Sequence, residues 1–282
     1  MSVIVFMNLD GKGLFVDNLI WFFISCLGLG AFVGFMAGLL GIGGGIIAVP
    51  VLLYLLPSAG FELGVLPHVA IATSLSAIIL TSCSSALAHH RRGNIPWPLF
   101  KPMLPGLILG ASCSGFISHS ISADNLQQTF AIFVILMAVQ MVFPLRVTGE
   151  EKPMPAALTL FIASAAIASF AALMGIGGGI LLVPFLSWCG LQMRNAIGFS
   201  AASGVFIALF GSVGYVLAGW NVTDLPQGTL GYVYLPALLG IIITSVTMAP
   251  VGVRAATHWP TPLLKKIFAL LLIFTGIKLA LA

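Results

Sequence analysis

Gly41-Ile-Gly-Gly-Gly-Ile-Ile-Ala-Val-Pro-Val-Leu52 recurs 134 residues later as Gly175-Ile-Gly-Gly-Gly-Ile-Leu-Leu-Val-Pro-Phe-Leu186. Nine of the twelve positions are identical, which reads as an internal duplication. Two shorter echoes extend it. Ala70-Ile-Ala-Thr-Ser74 matches Ala196-Ile-Gly-Phe-Ser200, and Leu126-Gln-Gln-Thr-Phe-Ala131 matches Leu264-Lys-Lys-Ile-Phe-Ala269. Two membrane repeats are expected, 1–145 and 153–282, joined by a cytoplasmic linker at 146–152. Duplication of this kind is a common construction for secondary transporters.

Both copies of the motif interrupt apolar runs, 18–57 and 156–190, that are too long for a single span of roughly 20 residues. The other apolar runs fall at 68–90, 99–121, 126–144, 194–219, 230–253 and 262–281. Of 282 residues, 60% are hydrophobic and 6% charged, against about 25% charged in soluble domains. So few charges exclude a cytosolic enzyme, a nucleic-acid binder and a secreted disulfide scaffold. The expected fold is an all-α polytopic membrane protein of two repeats, each with about four hydrophobic segments and its first segment broken at the GIGGG tip. The four cysteines (Cys26, Cys83, Cys113, Cys189) lie in apolar runs without metal-ligand spacing and read as small buried hydrophobes. No metal or cofactor is expected.

Charge placement orients the halves. If each broken segment enters and returns to one side, Arg91, Arg92, Lys101, Arg146, Lys152, Arg194, Arg254, Lys265 and Lys266 share one face. That is nine of the eleven basic residues, and five of the seven acids then fall on the other face. If every segment crosses once, the bias largely disappears. The positive-inside rule therefore favours inverted repeats with the basic face cytoplasmic. The five tryptophans (21, 97, 188, 220, 259) lie near the ends of apolar runs, as an interfacial aromatic belt requires.

A GxGGG string is costly in a lipid-exposed helix and is tolerated where protein or a water-filled cavity supplies partners. The expectation is helix, unwound tip, short helix, the last starting at Ile46 or Ile180, with Pro50 and Pro184 fixing a kink or turn in that arm. The new helix would aim free N–H groups and its positive dipole end at the tip. Gly43, Gly44, Gly45, Gly177, Gly178 and Gly179 are therefore candidate substrate-binding residues for an anion held by backbone. No Lys-Ser/Thr follows, so neither string is a nucleotide-binding loop. Gly28, Gly30, Gly34 and Gly38 read instead as close helix packing.

Thr73, Ser74, Ser200 and Ser203 join the candidate site as hydroxyl donors, near the start of the helix after each glycine arm. Such hydroxyls also bond back to their own helix or bridge helices. Arg91 and Arg92 read as cytoplasmic anchors, with a gate or anion-attracting role as the second reading. His68, His119 and His258 lie near helix ends, where an interfacial role is the default, and Lys278 is expected to snorkel. No acid lies well inside a span to serve as an ion relay.

The duplicated GxGGG-x4-P string, Ala70–Ser74, the His89–Ile95 loop and the two-half layout resemble the TauE/SafE family of sulfite and sulfonate exporters. It is also called the 4-toluene sulfonate uptake permease family. The resemblance spans almost the whole chain. It implies a multi-pass carrier of the cytoplasmic (inner) membrane for a small sulfur-containing anion such as sulfite or an organosulfonate, working by alternating access. Phe199 stands where the first half has Thr73, so the site need not be chemically symmetric. The alternatives are a carrier or channel for another small anion such as a carboxylate and, remotely, an intramembrane hydrolase, for which GxSxG is absent. The partners expected are the anion and the lipid bilayer, with no nucleic acid. Coupling to a proton or sodium ion, and monomer against homodimer, stay open.

Overall fold

A computed structural model describes residues 11–40, 44–142, 154–223, 225–255 and 261–281. The first half contains α1 (Gly11–Leu40), α2 (Gly45–Leu55), α3 (Leu66–Arg91), α4 (Phe100–His119) and α5 (Ala123–Val142). The second contains α6 (Ala157–Leu173), α7 (Gly179–Trp188), α8 (Met193–Ala218), α9 (Leu235–Ala255) and α10 (Thr261–Leu281). Thr229–Leu230 and Val233–Tyr234 form a two-residue antiparallel pair, β1 and β2, before α9. Among the described residues five segments are long and apolar enough to cross a membrane: Ile20–Ala37, Leu66–Arg91, Trp97–His119, Met193–Ala218 and Leu235–Gly252. At 1.5 Å per residue, α3 and α8 each run about 39 Å, enough for a hydrocarbon core of about 30 Å. α2 and α7 run only about 16 Å, half that core.

α3 and α8 form the centre and run antiparallel. Ser76 Oγ donates to Ser212 Oγ at 3.0 Å, and Gly204 lies beside Ser82 eight residues nearer the start of α8. α1 packs along α9 and α4 along α6, so each broken segment lies against a helix of the other half. Close approach explains both seams. Gly30 and Gly34 admit the backbone of Ile241 and Ser245, while Gly106 and Gly110 admit that of Phe161 and Ala165. Thr244 Oγ1 donates to the Leu27 carbonyl (2.7 Å), and Ser164 Oγ to that of Met103 (2.9 Å). Gly28 meets nothing and takes no part.

Two ends can be distinguished along the α3–α8 pair. His68 and Tyr215 mark the histidine end; Arg91, Arg92 and Arg194 mark the arginine end. α1 brings Phe22 to Tyr234, and after α2 the chain brings Phe61 to the same ring (centroids 5.6 and 4.9 Å). The first broken segment thus leaves from and returns to the histidine end. α6 meets the start of α4 through Ser164 and Met103, and after α7 Phe199 meets Phe100 at 4.5 Å. The second broken segment leaves from and returns to the arginine end.

Large apolar side chains face outward, among them Leu158, Ile162, Leu239, Leu270 and Phe274, as a lipid solvent requires. Trp21, Trp97, Trp188 and Trp220 are all exposed; Trp259 lies outside the described residues. Cys26 is buried, but Cys83 and Cys113 are exposed. The expectation of four buried cysteines is corrected, because an apolar run on a lipid-facing helix turns half its residues toward lipid.

Candidate functional site

Each break is followed by a short helix capped by a left-handed glycine, Gly44 (φ 73, ψ −16) and Gly178 (φ 77, ψ −12). A side chain at such angles crowds the following carbonyl, which explains glycine at both positions. The helices begin at Gly45 and Gly179, one residue earlier than expected. Their first turns are equivalent. The Ile47 and Ala48 N–H groups donate to Gly44 O, and those of Leu181 and Leu182 to Gly178 O. The N–H groups of Gly45, Ile46, Gly179 and Ile180 precede the first intrahelical acceptor, and a glycine cap offers no side chain to take them. Pro50 and Pro184 sit inside the helices, as continuous parts of each arm. Having no N–H, they leave the Ile46 and Ile180 carbonyls without the usual donor four residues on.

The breaks meet in the interior. A Cβ on Gly45 would strike the Gly175 carbonyl and approach Ile176 Cα to 3.2 Å. Both breaks lie against the midpoints of the central helices. Ile78 of α3 flanks Gly45 and Gly177, and Gly204 of α8 lies 2.8 Å from the Gly177 carbonyl, measured to an ideal Cβ. Gly43 lies outside the described residues, as does Gly41.

The hydroxyls divide into used and unused. Ser74 Oγ donates to Gly175 O at 3.2 Å, tying α3 of one half to the break of the other. Thr73 Oγ1 accepts the Tyr234 N–H at 3.0 Å, anchoring the segment before α9. Both are buried and serve backbone partners. Ser200 and Ser203 are also buried, yet their hydroxyls find no partner among the described residues. An unmade hydrogen bond there costs about 1–3 kcal/mol. Ser82, which the sequence reading did not single out, has its hydroxyl 3.1 Å from an ideal Gly204 Cβ and 3.6 Å from that of Gly177. Its only sequence signal is its position two helical turns after Ser74.

Arg91 and Arg92 are exposed and end α3, about 14 Å along the axis from Ser82, so they do not reach the breaks. Beside them the Asn94 carbonyl packs on Gly198. At the opposite end His119 is exposed, but His68 is buried within the protein at 5% exposure and is not an interfacial side chain. His258 lies outside the described residues. Burial pushes the phenols of Tyr232 and Tyr234 up, keeping both neutral at the histidine end. No His/Cys/Asp/Glu group among the described residues is arranged to hold a metal.

The family profile described as Sulfite exporter TauE/SafE matches residues 26–279, covering both breaks and the central helices. The chain belongs to the sulfite exporter TauE/SafE family. A probable membrane transporter protein of Haemophilus influenzae is 36% identical over 92% of this chain and 98% of its own length. One from Methanocaldococcus jannaschii is 28% identical over 80% of this chain and 83% of its own. The probable membrane transporter protein YunE of Bacillus subtilis is 28% identical over 70% and 79%. No solved structure matches the chain at a significant level. The protein is a multi-pass membrane transporter, not an enzyme.

In this TauE/SafE member the candidate residues sort by position. Gly44, Gly45, Gly177, Gly178, Gly179 and Ser74 are brought to the meeting of the breaks, with Ser200 and Ser203 on the helix that packs there. Thr73 is drawn off to the segment before α9, and the two arginines to a helix end.

Proposed function

We propose that this transporter moves a small sulfur-containing anion, sulfite or an organosulfonate, across the cytoplasmic membrane by alternating access, outward in the physiological direction. The anion binds where the two breaks meet. Backbone N–H groups of the first turns of α2 and α7 provide donors, and Ser200 and Ser203 complete them. One observation carries the reading: two glycine-capped helix starts converge near buried hydroxyls that find no partner among the described residues. A sulfur oxyanion accepts several hydrogen bonds at once, and donors out of water hold it more strongly than in water.

The halves are inverted about the α3–α8 crossing. Support comes from the antiparallel run of these two helices and from broken segments that enter from opposite ends. With the arginine end cytoplasmic, rocking of one half against the other would expose the breaks alternately. Purified protein in liposomes should exchange radiolabelled sulfite or a sulfonate with saturation and counterflow. Movement of neither ends the substrate reading, and exchange of a carboxylate instead would reassign it. Cysteines placed at 62 and 194 should react from opposite sides of the membrane; labelling from one side would sink the inversion.

A further inference from the structure

The histidine end holds a second polar cluster, apart from the breaks. His68 Nε2 lies 2.9 Å from the Ser118 carbonyl. A carbonyl only accepts, so the neutral ring carries its proton on Nε2 and presents a bare lone pair at Nδ1. That Nδ1 is buried and unpartnered among the described residues. His68 is 5% exposed, and beside it Ser118 and Tyr215 are wholly buried, their hydroxyls facing each other. Buried polar atoms are nearly always paired, and the bare Nδ1 of His68 asks for a functional explanation. The cluster connects to the surface. Tyr232 stacks on His68 (5.2 Å, 26°) and shares a 2.8 Å hydrogen bond between its hydroxyl and Nδ1 of exposed His119.

We propose that His68 is the proton-binding site that couples this carrier to a pH gradient, loaded from the histidine end. This rests on the carrier reading above. The proton settles on His68 Nδ1. The ring becomes an imidazolium whose Nε2–H still donates to Ser118. A proton is the ligand that fits, since it needs no added volume in a closed cluster. The groups facing His68 are few. α4 brings His119 and the Ser118 carbonyl, α8 brings Tyr215, the segment before α9 brings Tyr232, and the Ile121 carbonyl lies beside the ring. Glu62, before α3, and Asp124, at the start of α5, are exposed, and Asp224 lies outside the described residues. Charging His68 would place a cation under the segment that Thr73 anchors through Tyr234, so loading the proton and freeing that end are linked.

The test uses the full chain in lipid nanodiscs with 15N-labelled histidine, titrated from about pH 5 to pH 9. The imidazole signal removed by His68→Gln is expected to titrate within that range. A His68 signal that stays neutral throughout overturns the site. In liposomes with radiolabelled sulfite as probe, His68→Gln should lose accumulation driven by a pH gradient by about tenfold while keeping counterflow. Accumulation at the wild-type level would overturn the coupling. Should wild-type protein move no sulfite, the substrate reading fails, while the titration still decides the proton site.

Discussion

The middle of the α3–α8 pair is alike in the two halves of the chain, and its two ends are not. In the middle the halves retain the same backbone: left-handed glycines within 4° of each other in φ and ψ, the same first-turn hydrogen bonds and a proline at the same offset. At the ends the equivalent contacts have become chemically unlike. Thr73 holds Tyr234 by a hydrogen bond, whereas Phe199, its counterpart, holds Phe100 by ring packing at 4.5 Å. His68, buried in a neutral aromatic cluster, stands where the second half has exposed Arg194. A backbone site cannot be retuned by side-chain substitution, so the middle stays duplicated. The ends are built from side-chain contacts and are free to differ.

The sharpest way to break this comparison is at the meeting point. Gly45→Val should abolish transport, because the new side chain must displace the Gly175 backbone. Gly28→Val, which meets nothing, should transport normally. Equal activity of the two in liposomes would remove the breaks from the mechanism. Next come the ends. Phe199→Ala should cost about 3 kcal/mol through the cavity left against Phe100, and Thr73→Val about 1–3 kcal/mol through an unmade Tyr234 N–H bond. Thermal unfolding in detergent can rank the two. If Thr73→Val proves the more damaging, the polar end is the structural keystone.

Ser203→Ala tests the middle more gently. Its hydroxyl has no protein partner among the described residues, so stability should hold or rise while the Km for the transported anion rises about five- to tenfold. A loss of stability with unchanged Km would make Ser203 structural. The smallest effect is expected from Arg91→Gln with Arg92→Gln. Both are exposed and away from the breaks, so saturating rates should stay within about twofold. A collapse in rate would restore the gating role.

Much of the fold was legible because membrane insertion is read locally. Run length, the two glycine strings and the side of each arginine are properties of short segments. They locate all eight apolar segments, and the helices fall within a few residues of them. The candidate site was legible at its glycines, since a positive φ demands glycine whatever surrounds it. Its hydroxyls were not. Ser74 and Ser200 are equivalent in sequence, and only the first has its hydrogen bond to a backbone carbonyl among the described residues. His68 looked like any histidine at a helix end. Its burial follows from Gly115 and Gly214, which let α4 and α8 close up and set Ser118 and Tyr215 about it. The sequence alone determined a helical membrane protein broken at two matching glycine strings. The tertiary structure decided which polar groups are used up and which remain for a ligand. The physical reason is range: Ser74 finds Gly175 across 101 residues and Thr73 finds Tyr234 across 161, and no local pattern encodes such a partner.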